Sequence, residues 1–273
     1  MPVWGAVEGV QAKVDGKSAN IAGVLGPERG LMLLVVMDVA GDLSLVEPAR
    51  KALADGLEKA GPEVYAGLMR AQDGLQVVLD PTEDRVKFRE AVDAQAVGGR
   101  AALLNTVETA VRLGDGIMEK TGVRLAVLYI TDSNITNYRE DYTNPVVNSS
   151  DSRDLSRRFP EGLVKERISR LALSVAARQT PLFIVHLDYR SDRLNEAYQT
   201  GLMELAALTG GAAEFCRSVG EIPSAVGKAL EAAMSHHSVV VELPAGTAQQ
   251  VTVTLEAPGG SLRHRTRFLI KDK

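Results

Sequence analysis

Two acidic turns carry the residue types that could do chemistry. Asp38-Val39-Ala40-Gly41-Asp42 follows the apolar run Leu31–Met37, and Thr131-Asp132-Ser133-Asn134 follows a second apolar run that begins at Val123. Carboxylates and hydroxyls suit a hard cation such as Mg²⁺, which takes oxygen ligands. Asp38, Asp42 and Asp132 are therefore the candidate metal ligands. The plain alternative is an Asp in a turn, with Asp42 or Ser44 capping the helix that follows.

Other reactive side chains are few. His186 lies inside an apolar run and reads as a core histidine. His236 and His237 fall at a helix end, where a cation is favoured by the helix dipole. Adjacent histidines lack the i, i+4 spacing of a helical zinc pair. Cys216, the one cysteine, closes the short apolar run 212–216 and reads as a small buried hydrophobe. No Gly-x-Ser-x-Gly elbow, phosphate-binding Gly-x-x-x-x-Gly-Lys loop or His-Glu-x-x-His motif occurs. The enzymatic alternative is a Mg-dependent phosphoryl hydrolase with Asp38 as nucleophile. Its general acid would stand two residues on, where this chain has Ala40.

The elements that must position these residues follow from hydrophobic period. The runs 31–37, 123–131 and 181–187 are mostly apolar at successive positions, as in strands buried on both faces of a parallel sheet. Helical spacing fills 44–60, 83–94, 101–119, 162–178, 192–208 and 219–236. The segments 64–69 and 75–79 read as a hairpin turning at Gln72-Asp73-Gly74, and 212–216 as a short strand. Residues 3–11 and 18–25 read as two strands joined near Asp15-Gly16. From Ser238 the period becomes two, which predicts an antiparallel tail in which Leu262, His264, Thr266 and Phe268 share one strand. Alternating β and α elements predict a mostly parallel α/β sheet flanked by helices, with ligands beyond the carboxyl ends of its strands. The expected division is an N-terminal β hairpin over 1–29, an α/β domain over 30–237 and an antiparallel β tail over 238–273. The polar stretch 133–160 is too long for an ordinary connection. It reads as a partner-contacting lid bearing Asp141, Asp151, Asp154, Arg139, Arg153, Arg157 and Arg158.

The ordered set of strand-end Asp38, Gly98-Gly99-Arg100-Ala101-Ala102-Leu103, Thr131-Asp132-Ser133 and Leu205 to Gly211 resembles the von Willebrand factor A (VWA) domain, and more narrowly its bacterial VWFA-related type. The resemblance spans roughly residues 8–270. It implies a Rossmann-like α/β fold and a metal-ion-dependent adhesion site. That site holds Mg²⁺ or Mn²⁺ on Asp-x-Ser-x-Ser, a Thr of the Gly-Gly loop and the Asp after the second strand. The ion keeps one position for an acidic residue of a partner protein.

This chain keeps Asp38 and Asp132 but has Ala40 and Asp42 at the two Ser positions and Arg100 at the Thr position. A guanidinium beside a divalent ion costs several kcal/mol at about 4 Å. The expectation is a degenerate, metal-free site, with Arg100 in the ion's place neutralising Asp38 and Asp132 or Asp42. Asp38, Arg100, Asp132, Ser133 and Asn134 are the candidate binding residues. The function expected is non-catalytic binding of another protein, as an adhesion or scaffold module. A purely structural assembly role is the further alternative.

Composition narrows the classes. The 273 residues are 45% hydrophobic, ample for a full core, and the net charge of −4 does not suit a nucleic-acid partner. Aromatic residues at 4% argue against base-stacking platforms. One cysteine excludes an intrachain disulfide. No run nears the ~18 apolar residues of a membrane span, and the N-terminus lacks the pattern of a signal peptide. An extracytoplasmic or secreted setting is implied by the resemblance alone.

Overall fold

The computed structural model describes residues 1–270 apart from Asp73, 139–159, Ala245 and Ala248. In chain order its elements are β1 (Pro2–Trp4), β2 (Gln11–Val14), β3 (Lys17–Ala19), β4 (Ile21–Leu25), β5 (Leu31–Asp38), α1 (Leu43–Glu58), β6 (Val64–Ala71), β7 (Leu75–Thr82), α2 (Arg85–Asp93) and α3 (Leu103–Thr121). There follow β8 (Arg124–Thr131), α4 (Pro160–Val175), β9 (Leu182–His186), α5 (Arg193–Leu208), β10 (Ala212–Phe215), α6 (Ile222–Ser235), β11 (His237–Val241), β12 (Gln250–Glu256), β13 (Arg263–His264) and β14 (Arg267–Leu269). The expected lid charges and Asp73 lie outside the described residues.

A six-stranded sheet runs in the order β10-β9-β8-β5-β6-β7. Its first five strands are parallel and β7 returns antiparallel at the edge. The two longest apolar runs, β5 and β8, sit side by side at the centre, where both faces of a strand are buried. Leu33, Val35 and Met37 pack with α1, α2 and α6 on one face. Leu34 and Val36 pack with α3, α4 and α5 on the other. This is the α/β architecture the alternation predicted. Gly122 ends α3 in the left-handed conformation, φ 66°, which a side chain would strain.

The termini build two small antiparallel sheets, β13-β1-β11-β4 and β14-β12-β2-β3, around Val3, Val14, Val239, Val253 and Phe268. Three strand expectations need correction here. The segment 18–25 divides into β3, which pairs with β2, and β4, which pairs with β11 in the other small sheet. The segment 3–11 breaks into β1 and β2, because Gly5 and Gly9 take positive φ between them. The last tail segment also divides. β13 pairs with β1 while β14 pairs with β12 in the other sheet. Arg265, between them, turns its buried guanidinium onto the carbonyls of Ala176 and Arg178 beyond α4.

The appendage is tied to the main sheet by cations on carbonyls. Arg124, buried at the start of β8, donates to Met234 O at 3.0 Å, His236 O at 2.6 Å, Pro27 O at 2.9 Å and Arg29 O at 3.0 Å. It thus supplies the positive charge at the end of α6 that sequence reading gave to the His236-His237 pair. His236 is buried, and desolvation holds its imidazole down at about 4, so it is neutral. Trp4 adds a bond from Nε1 to Ala232 O at 2.9 Å, with Arg263 stacked 3.9 Å from its ring centre.

Candidate functional site

Beyond the carboxyl ends of β5 and β8 the structure brings Asp38 and Asp132 together, both buried. Asp132 is bound to the turn that follows Asp38, and Asp38 to the start of α3 and the last residue of β8. Asp38 accepts from Ala102 N at 2.9 Å, Leu103 N at 3.3 Å and the Thr131 hydroxyl at 3.0 Å. Asp132 accepts from the successive amides of Ala40, Gly41 and Asp42 at 2.6, 3.0 and 3.1 Å.

Local sequence explains this exchange. The N-cap of α3 is Ala102, which has no side-chain oxygen for the free amides of the first turn. Asp38 takes two of those amides, and the Tyr138 hydroxyl accepts a third from Leu104 at 3.2 Å. The turn 40–42 presents three N–H groups in a row, a small anion-binding nest, and Asp132 fills it. Asp42 faces away from the pair. It caps α1, accepting from Ser44 N at 2.9 Å and Ser44 Oγ at 2.6 Å, and these bonds hold its carboxyl below the usual range.

Burial pushes the Asp38 carboxyl up to about 6, against the pull of the Ala102 amide and the Thr131 hydroxyl; the charge of Asp132 adds to the rise. Arg100 does not take the expected place as donor to this carboxylate. Its side chain is exposed, whereas Asp38 is 1% exposed and bonded to amides and a hydroxyl. Main-chain dipoles do the work assigned to the guanidinium.

Ser133 and Asn134 are also buried. The Ser133 amide donates to Thr131 Oγ1 at 3.0 Å, and its hydroxyl lies 3.4 Å from the Asp38 carbonyl. His186 is the core histidine expected, with Nε2 on the Ser133 carbonyl at 2.8 Å. Its Nδ1 is buried without a hydrogen-bond partner among the described residues, and burial lowers its pKa. Sequence reasoning missed Thr131 as a donor and Tyr138 as a helix cap. The only signal for the latter was an alanine where α3 needed a capping side chain.

This donor set fits a hard divalent ion poorly. Ala40 offers no ligand, Asp42 is committed to α1, and six donors already occupy Asp38 and Asp132. Among the described residues no cluster of three His, Cys, Asp or Glu side chains forms a metal site.

No protein-family model and no curated protein matches the sequence. Solved structures do. A von Willebrand factor type A structure from Catenulispora acidiphila superimposes with a TM-score of 0.51 at 10% identity, over 96% of this chain and 74% of that one. The chain has the von Willebrand factor A fold. A second VWA-like match is proximal thread matrix protein 1 of the mussel byssus, solved with zinc in its MIDAS motif. It has a TM-score of 0.50 at 11% identity, over 81% of this chain and 50% of that chain. This chain thus spans half the length of the mussel protein. An aerotolerance-related membrane protein from Bacteroides fragilis NCTC 9343 is similar over 74% of this chain and 98% of its own, with 13% identity and a TM-score of 0.44. No helix among the described residues is long and apolar enough to cross a membrane.

Proposed function

We propose that this VWA-fold chain is a non-catalytic protein-binding module of adhesion or scaffold type, whose strand-end site works without a metal ion. One observation carries the reading. The two carboxylates that would define an ion site are spent as acceptors for the first turn of α3 and the turn before α1. A buried carboxylate with three donors serves as a fixed structural anion rather than a ligand waiting for a cation. The same burial speaks against Asp38 as a phosphoryl nucleophile, and Ala40 supplies no acid beside it. Binding then falls to the loops around the pair. Leu43 and Val219, 57% and 44% exposed, are apolar groups available there. An extracytoplasmic setting belongs to this proposal and rests on the fold resemblance.

Three experiments test it. Calorimetric titration with Mg²⁺ and Mn²⁺ should give no saturable heat, and micromolar binding lost in Asp38→Ala would sink the metal-free reading. A photo-crosslinker at Leu43, used in the source cell, should capture a defined protein that the same probe at Lys13 on the appendage does not. Hydrolysis of a generic phosphate ester that needs Mg²⁺ and disappears in Asp38→Asn would instead favour the enzyme.

A further inference from the structure

The three sheets present six edge strands among the described residues, and five carry a charged side chain. β3 has Lys17, β7 has Asp80, β10 has Glu214, β13 has Arg263 and β14 has Arg267. Charge on an edge is the usual guard against pairing with another chain. β4, Ile21-Ala-Gly-Val-Leu25, is the exception and has no charged or polar side chain. It is bonded on one side only, to β11. Apolar groups are exposed on both faces of this edge. Val24 is 39% exposed on the side of its register partner Val239, and Val240, opposite Gly23, is 49% exposed on the other.

We propose that β4 is a self-association edge, occupied by β4 of a second copy of this chain in antiparallel register about a two-fold axis at Val24. Three features argue for a second copy. The stretch Gly23–Leu25 is the regular part of the β4 ladder, since the register slips only between Val240 and Val241. Centring it on Val24 sets the exposed valine against its own copy, a favourable β-branched cross-strand pair. Gly23 then faces Leu25, and a Cβ built on Gly23 meets nothing within 4 Å, so there is room for the leucine. No charged residue lies between Lys17 and Glu28, and antiparallel pairing sets the Lys17 end of one copy towards the Glu28 end of the other. A five-residue pairing with a few exposed valines covers less than the ~1,200 Å² of a tight complex, so the dimer is weak and concentration-dependent.

Sedimentation velocity of the whole chain over about 1 to 100 µM tests this. The expected result is a monomer–dimer equilibrium weakened at least about tenfold by Val24→Lys, whose half-exposed position tolerates the change. A second readout does not depend on affinity. In a Cys216→Ser background, Val24→Cys should form an intermolecular disulfide on mild oxidation, while Val77→Cys, on the charged β7 edge, should not. A wild-type monomer throughout leaves the edge to a different strand and overturns self-pairing. A dimer unchanged by Val24→Lys, or equal crosslinking from both cysteines, overturns it as well.

Discussion

The Asp38 carboxylate accepts the amide hydrogen of Ala102 at 2.9 Å across a separation of 64 residues. The end of β5 thereby caps the start of α3, which its own alanine N-cap cannot do. Asp38→Ala should leave those amides and the Thr131 hydroxyl unsatisfied in a buried place, at a cost of about 2–4 kcal/mol. Asp38→Asn keeps one oxygen acceptor and should cost less. Urea denaturation measures both, and equal, negligible losses would contradict the capping role.

The same carboxylate should tie stability to pH, with a definite sign. Burial raises it from 3.8 to about 6 in the folded state. Between those values the folded chain holds more protons than the unfolded one, so this group's contribution falls as pH rises through the window and levels off above it. At about 1.4 kcal/mol per unit, the loss is about 3 kcal/mol. Asp38→Asn removes the titration. The stability advantage of wild type over Asp38→Asn should therefore shrink between about pH 4 and pH 7. A constant or growing advantage would refute the assignment.

Arg100→Thr probes what neutralises the site. If guanidinium held the carboxylates, its loss would be severely destabilising. With amides and Thr131 as donors and Arg100 exposed, the change should cost no more than the ~1 kcal/mol of an exposed polar contact. A thermal shift of many degrees would return the counter-charge to arginine.

What could be read from sequence, and what could not, follows from where the information resides. The central strands were legible because Leu31–Met37 and Leu125–Ile130 are apolar runs, which few structures other than a buried strand accommodate. The carboxylates were legible because they end those runs. Their partners were not, since the amides of Ala40, Gly41, Asp42, Ala102 and Leu103 exist at every residue and leave no trace in residue type. A charged partner was therefore sought, and Arg100 was chosen because it stands at the Thr position of the resemblance. The tail failed for a related reason. Period-two alternation over 262–268 says strand but cannot say which sheet, and Arg265 leaves the ladder to reach the carbonyls beyond α4.

Arg124 should be the least replaceable charged residue. Its guanidinium lies on four carbonyls from the end of α6 and the 27–29 turn, with no carboxylate among the described residues bonded to it. Burial lowers its pKa. Arg124→Met takes the donor from one buried and three half-buried carbonyls and should cost about 3–5 kcal/mol. Arg124→Lys keeps the charge but not the planar fork and should recover little. Hydrogen exchange offers a sharper sign: protection should fall first in β4, β11 and the end of α6. Loss confined to α3 would contradict the clamp.

Gly201 sets how closely α4 and α5 approach, and it gives a test with an internal rescue. A Cβ there would overlap Ile168 Cδ1 and come within 2.9 Å of both Cγ1 and Cγ2. Gly201→Ala raises helix propensity by about 1 kcal/mol, yet overpacking should outweigh that and leave a net loss of about 1–2 kcal/mol. Ile168→Val removes the Cδ1 that takes the worst of the overlap, at its own cost of about 0.5–1.5 kcal/mol. The two changes touch the same space, so they should not add. The double variant should be more stable than the sum of the single losses by about 1 kcal/mol. Strict additivity in a double-mutant cycle would mean that the helices slide apart to accept the methyl, and that the close crossing at Gly201 is not what holds α5 against α4.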